Sequence, residues 1–316
     1  MILDGDPGPQ FAIRGDNRKV AFDDSGAPDG FPVFLLHGTP GSRKGPRPRD
    51  SVLHRLGIRL ITYDRPGYGD SDRQPGRHVA AAASDVATIA DHLNLDRFAV
   101  VGRSGGGPHA LACAADHNLR QRVTRVAVLV SFAPPDTTDV EWFEGMNADN
   151  VRGFGLGAEV SAQVEAEILR RAELVRQDPA SLLEQLMHHM TQADKRALNS
   201  SALRQIVIET HREGLRSGPW GWVDDVLALR GGWKVDLESI ETEVRIWHGA
   251  DDTFAPASHA AWLANRIPTA EFFVEPGKAH FDAMQEIPRV LRWAAGDGAR
   301  PTARGAALIG ARPAAQ

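Results

Sequence analysis

The sequence predicts an α/β fold with a mostly parallel central sheet flanked by helices and a helical cap inserted in the second half of the chain. Three observations predict it. Short, almost wholly apolar runs recur between residues 33 and 130 with helical stretches between them, the pattern of strands buried on both faces and joined by crossover helices. The strand signal then stops for about a hundred residues while apolar residues recur at helical spacing. It resumes near residue 244.

In chain order, residues 10–24 hold two short extended runs separated by Gly15-Asp16-Asn17, which is hairpin punctuation. Val33 to Leu36 is an apolar run ending at His37-Gly38, Leu60 to Tyr63 one ending at Asp64, Phe98 to Val101 one ending at Gly102, and Val126 to Val130 a fourth. Ala80 to Leu93 and Pro108 to Ala115 are patterned as helices between them. Beyond Ala133-Pro134-Pro135, Val160, Val164 and Ile168 recur at four-residue steps. Asp178-Pro179 reads as an N-cap followed by proline at the first helical position, leading into Leu182, Leu183, Leu186 and Met190. A third helix carries Leu203, Ile206 and Val207, and glycine-rich turns follow at Gly218 to Gly221 and at Gly231-Gly232. A strand at Val244 to Trp247, a helix from Pro256 to Ile267, a strand at Glu271 to Val274 and a helix through Val290 and Leu291 complete the pattern. The organisation expected is a core at 1–133, a helical cap at 134–235, a second part of the core at 236–297 and a flexible tail at 298–316, rich in Ala, Gly, Arg and Pro.

A chain of 316 residues with 42% hydrophobic and 24% charged residues can bury a sizeable core. A net charge of −5 gives no field that would attract a phosphate backbone, so neither nucleic acid nor an anionic membrane is expected as a partner. The one cysteine, Cys113, excludes an intramolecular disulfide and reads as a small buried residue. Without a basic start, an apolar run or a cleavage signal near its N-terminus, the chain is expected in the cytoplasm.

Residues 101–110, V-G-R-S-G-G-G-P-H-A, fit two motifs at once. Gly105, Gly107 and Ala110 match the dinucleotide fingerprint G-x-G-x-x-G/A, whereas Gly102, Ser104 and Gly106 match the nucleophile elbow G-x-S-x-G. A dinucleotide site needs an acidic residue at the end of the next strand, and that strand ends in Ser131-Phe132. The segment from Gly38 to Lys44 starts like a phosphate loop, but Arg43 precedes the lysine and Gly45 follows it, where the pattern needs glycine and a hydroxyl residue. The elbow has the context it requires: an apolar strand, the serine, then a helix with Pro108 in its first turn.

A serine hydroxyl is a poor nucleophile until a histidine takes its proton and a carboxylate fixes that histidine. Of twelve histidines, His54, His78, His92, His117 and His211 fall in helical or polar stretches and read as surface or cap packing, as do His188 and His189 in the insertion. His280 differs, because it lies in a loop after the strand E-F-F-V, where open α/β sheets line their ligand crevice. The acid is one of the adjacent Asp251 and Asp252 in the preceding strand-end loop, and motif spacing favours Asp252.

The chain resembles the α/β-hydrolase superfamily in its capped form. The resemblance covers about residues 10–295 and rests on H-G-T-P at 37–40, Y-D-R-P-G-Y-G-D-S at 63–71, G-R-S-G-G at 102–106, H-G-A-D-D-T-F-A-P at 248–256 and G-K-A-H at 277–280. It implies Ser104 as nucleophile, Asp252 as acid and His280 as base, with the backbone N–H groups of Thr39 and Gly105 as oxyanion hole. His37 would shape that loop rather than transfer protons, and Asp64, Arg65 and Gly69 resemble a structural turn. Ala279 stands where the family's histidine motif more often has a second glycine.

Within the superfamily, Ser104 excludes the dehalogenases and epoxide hydrolases, which use aspartate there; epoxide hydrolases also use cap tyrosines, and Tyr63 and Tyr68 both fall in the core. Gly105 and Thr39 depart from the methionine and aromatic residue usual in cofactor-free haloperoxidases, and Phe281 from the lysine that follows the base in hydroxynitrile lyases. The expectation is a serine esterase acting on a medium-sized, largely apolar ester or lactone, without cofactor or metal. The alternatives are an acyltransferase with the same triad or a non-catalytic ligand-binding protein on this scaffold. His37, Arg103, Trp142, Phe143, Met146 and Trp220 are the residues expected around the substrate; Met187, Met190 and Trp222 are further large apolar residues of the cap. The basic run Arg43, Lys44, Arg47 and Arg49 reads as a solvated face, with attraction of an acidic substrate as the alternative.

Overall fold

Apolar runs that alternate between two faces need cover on both sides, and the chain supplies it with one sheet between two helical layers. The computed structural model describes residues 8–155 and 161–296. Val160 and the tail 298–316 lie outside the described residues.

The strands are β1 (Gln10–Ile13), β2 (Lys19–Gly26), β3 (Phe31–Leu36), β4 (Ile58–Tyr63), β5 (Phe98–Arg103), β6 (Val123–Leu129), β7 (Glu243–Gly249) and β8 (Ala270–Glu275). They form one sheet in the order β1-β2-β4-β3-β5-β6-β7-β8. β1 and β2 are an antiparallel hairpin closed at Asn17, which has φ 65°, a value asparagine tolerates. β2 pairs antiparallel with β4, and every neighbour from β4 to β8 is parallel.

The helices before the insert are α1 (Asp50–Leu56), α2 (Ala82–His92) and α3 (Gly106–Ala115). The insert between β6 and β7 holds α4 (Ala148–Phe154), α5 (Ser161–Gln177), α6 (Ser181–His189), α7 (Gln192–Ala197), α8 (Ser201–Gly214) and α9 (Trp220–Arg230). α10 (Ala257–Arg266) and α11 (Ala283–Ala295) follow. Strand residues divide with period two. Val33, Leu35, Leu60, Val101 and Leu129 pack with Leu53 of α1 and with Ile287, Val290 and Leu291 of α11, while Phe34, Leu36, Ile61, Val100 and Val128 pack with α2, α3 and α10. Full burial of each such aliphatic side chain contributes roughly 1.5–3 kcal/mol.

Several elements differ from the sequence reading. β6 stops at Leu129 because Val130 turns into the left-handed region at φ 46°. Asp178 does not cap α6. Its Oδ1 accepts from Ala180 N at 3.0 Å, forming a turn, and the helix starts at Ser181. Gly221 lies inside α9 rather than in a turn, packed against Gly67. α1, α4 and α7 are too short to show a period, and α9 is buried nearly all round, which removes the polar face that marks an amphipathic helix. Among the described residues no helix is long and apolar enough to cross a membrane.

Candidate active site

Ser104 sits between the end of β5 and the start of α3 with φ 53°, a conformation that costs a residue with a Cβ about 1–3 kcal/mol and persists only where the surroundings impose it. They do so through three hydrogen bonds. Ser104 N donates to Leu129 O at 2.8 Å, and Ser104 O accepts from Gly107 N and from Ser131 Oγ, both at 2.9 Å. The backbone of the elbow is thereby tied to the end of β6 and to the first turn of α3.

Asp252 is buried in the loop after β7, whereas Asp251 beside it is exposed. Asp252 Oδ2 accepts from His280 Nδ1 at 2.8 Å, and Oδ1 accepts from the N–H groups of Phe254 at 2.8 Å and Ala255 at 3.0 Å. Burial alone would raise this carboxyl, but His280, His248 and their hydrogen bonds outweigh it and hold the group well below the usual carboxylate range. An ionised Asp252 requires the hydrogen on His280 Nδ1, which leaves Nε2 free to accept a proton. The histidine loop is braced on both sides: Ala279 N donates to Asp282 Oδ2 at 2.8 Å and Phe281 N to Asp194 Oδ1 at 2.8 Å. Ala279 itself is fully buried, so the methyl group at the family's glycine position finds room.

Thr39 and Gly105 are in contact. A Cβ on Gly105 would overlap Thr39 Oγ1, so only glycine leaves room for the Thr39 side chain against this backbone. Neither N–H has an acceptor among the described residues. The loop from His37 to Thr39 is fixed from beneath by Arg65, which donates to His37 O, to Gly38 O at 2.9 Å and to Thr39 Oγ1 at 3.1 Å. Arg65 in turn pairs with Asp225 of α9, whose Oδ2 also accepts from Thr39 Oγ1 at 2.6 Å and Tyr68 OH at 3.2 Å, and whose Oδ1 meets Arg77 at 2.7 Å. Burial opposes ionisation of Asp225, but Arg65 and Arg77 prevail and its carboxyl lies well below the ordinary range. Both ring nitrogens of His37 are engaged: Nδ1 donates to Gly38 O at 2.7 Å and Nε2 accepts from Arg65 N at 3.2 Å. His37 is therefore held neutral as part of the loop.

Ser104 and His280 line one cavity of about 130 Å³ between the sheet and the insert. Its apolar wall comes from Phe154, Ile168, Leu182, Leu186, Trp222 and Val226 of the insert and from Phe254, Phe281 and Met284 of the core.

Residues 32–287 match the sequence profile of the family described by the alpha/beta hydrolase fold. The chain belongs to that family. Curated relatives of this α/β hydrolase include 2-hydroxymuconate semialdehyde hydrolase of Pseudomonas putida, 25% identical over 84% of this chain and 85% of the relative. A non-heme haloperoxidase of Rhodococcus erythropolis is 26% identical, over 85% of this chain and 92% of its own. Among solved structures, an esterase from Exiguobacterium antarcticum superposes with TM-score 0.65 at 24% identity, covering 90% of this chain and 98% of that one. At that identity the likeness is one of fold.

Against this geometry, the residues expected around the substrate separate. His37 and Arg103 line the cavity. Trp142, Phe143, Met146 and Trp220 do not. Trp142 stacks with Phe132 at 5.6 Å and edges onto Phe154 and His259, with Phe143 and Met146 in the same core cluster. Trp220 stands at the surface under the Arg73 guanidinium, 3.9 Å from its ring. Trp222, the neighbouring tryptophan of this hydrolase's insert, does reach the cavity, because residues two apart on a helix face different ways.

Of the two readings of His211, surface or cap packing, the structure shows the second: it is buried in α8 on the cavity wall, pushed down to about 4 by burial and the nearby Arg103 charge. Arg43, by contrast, is a correction, because it is not solvated. It is buried among Asp64, Asp23, Asp70 and Glu213, with Lys44 and Arg47 also meeting Asp23. Asp225 escaped the sequence reading altogether; the only signal for it was a carboxylate in a helix with no polar face.

Proposed function

We propose that this α/β hydrolase is a serine esterase that cleaves a carboxylic ester or lactone through an acyl-enzyme on Ser104. The observation that carries the reading is the 2.8 Å hydrogen bond from His280 Nδ1 to a buried, ionised Asp252, with His280 and Ser104 on the wall of one cavity. In the first half-reaction His280 Nε2 takes the Ser104 proton as Oγ bonds to the carbonyl carbon, and Asp252 stabilises the resulting imidazolium. The oxyanion is received by the free N–H groups of Thr39 and Gly105, the latter at the N-terminus of α3. His280 then protonates the leaving alkoxide. A water activated by the same nitrogen attacks the acyl carbon, and Ser104 leaves with its proton restored.

The apolar wall favours a substrate with a compact hydrocarbon portion. An engineered apolar cavity of about 150 Å³ takes benzene, so a space of about 130 Å³ suits a small acyl or ring group. The partner is a small molecule rather than nucleic acid or a membrane. A chain with one buried cysteine fits the cytoplasm.

A fluorophosphonate probe is expected to label Ser104, and Ser104→Ala to abolish labelling and to lower kcat for short-chain aryl esters by about 10⁴-fold or more. Aryl-ester turnover that survives the substitution would overturn the assignment. Product analysis with added alcohols distinguishes hydrolysis from acyl transfer.

A further inference from the structure

Among the described residues five arginines are buried, Arg18, Arg43, Arg65, Arg77 and Arg171, and each meets at least one carboxylate. Arg103, the residue before Ser104, is mostly buried on the cavity wall and meets none among the described residues. Its Nε is buried without a hydrogen-bond partner, and its guanidinium carbon stands over the Phe281 ring, 5.7 Å from the centroid. Burial lowers its pKa to about 10, which still leaves it charged at neutral pH. The two carboxylates whose fields reach it, Asp252 and Asp194, are already engaged with His280 and with Phe281 N. Partly open on the cavity wall and paired with no carboxylate among the described residues, this guanidinium can supply the countercharge to a bound anion.

The geometry puts this charge next to the reacting centre. One point beside Gly38 Cα lies 3.3 Å from Arg103 Nη1 and 3.4 Å from Ser104 Cβ, so these two atoms are within about 7 Å of each other. His211 of α8 lines the same cavity, and its Nδ1 is likewise buried without a partner. Thr210 beside it is engaged, accepting from Ser42 N at 3.0 Å.

We propose that Arg103, assisted by His211, binds a free carboxylate of the substrate, so that the ester cleaved at Ser104 carries a carboxylate a few bonds from its scissile carbonyl. The planar guanidinium suits a carboxylate because it donates two parallel hydrogen bonds, and a neutral imidazole donates a third. The apolar wall then holds the rest of the molecule. This rests on reading Ser104 as the nucleophile.

The test compares kcat/KM for two charged esters, monoethyl glutarate and acetoxyacetate, with their neutral counterparts, ethyl pentanoate and ethyl acetate. The wild-type protein is expected to favour at least one charged ester by about tenfold or more, the size of one charge-assisted contact. In Arg103→Gln that ratio should collapse to about one or below, with Arg103→Lys intermediate. A wild-type preference for both neutral esters, or a ratio unchanged in Arg103→Gln, overturns the proposal while leaving the esterase reading intact. Should the variants not fold, fluorophosphonate labelling of the wild-type protein decides. Glutarate should slow it at least tenfold more than glutaramide does, and equal effects would refute the carboxylate site. If Ser104 resists the probe and no ester is cleaved, the esterase reading fails separately, and calorimetric titration of the wild-type protein with glutarate and glutaramide still decides whether the anion binds.

Discussion

Asp225 gathers Arg65, Arg77, Thr39 and Tyr68 around one carboxylate. Asp225→Ala would leave two buried guanidinium groups without a countercharge, an expected loss of about 3–5 kcal/mol in urea unfolding. It would also release Thr39, and removal of one oxyanion donor lowers kcat by about 10²–10³-fold. A variant that loses less than about 1 kcal/mol and keeps kcat would show that the loop holds its shape alone. Because the folded-state pKa of Asp225 is depressed, its contribution is complete above the unfolded value near 4 and is lost only as pH falls below it. Ser104, Asp252 and His280, which the structure brings to one cavity and one hydrogen bond, could be proposed from the sequence because their motifs are local. Asp225 could not, since its partner Arg65 is 160 positions away.

At the scale of elements, α3 lies so close to β6 that Gly107 has a definite function. A Cβ there would overlap Ser131 Oγ and stand 2.6 Å from Ser131 Cβ, and this hydroxyl donates to Ser104 O. The last glycine of the ambiguous stretch therefore makes room for a support of the elbow rather than for a phosphate. Gly107→Ala is expected to cost about 1–3 kcal/mol through overpacking. Ser131→Gly in the same chain should recover part of that loss, and strictly additive effects would mean that the clash lies elsewhere. The parallel strands were readable because burial on both faces makes them continuous apolar runs. The cap was readable only as helical: α4 and α7 are shorter than the window in which a period shows, and the choice of Trp220 over Trp222 for the cavity depended on a helix phase that an all-round buried segment does not reveal.

Besides His37, burial keeps His109, His211 and His259 neutral. Burial holds His109 down to about 3 and His211 and His259 to about 4. Each is depressed from an unfolded value near 6.5, so the unfolded chain takes up protons first as pH falls. The stability they contribute is complete above about pH 6.5 and drains away toward pH 4, by roughly 2 kcal/mol each at pH 5. Asp64, Asp85 and Asp194, whose carboxyls burial lifts, act in the opposite sense at the acid end of that window. Urea unfolding at pH 7.5 and pH 5 is expected to show a fall of several kcal/mol, and equal stability would contradict the buried neutral state of these rings.

Helix α9 belongs by sequence to the insert, yet its Asp224 pairs with Arg73, its Asp225 with Arg65 and Arg77, and its Gly221 rests on Gly67. The insert is thus no detachable attachment. Grafting another hydrolase's cap onto this core would have to bring an aspartate to the place of Asp225, or exchange Arg65 and Arg77 with it. Cap shuffling as a route to new specificity should succeed here only when the junction is moved to the N-terminal side of α9.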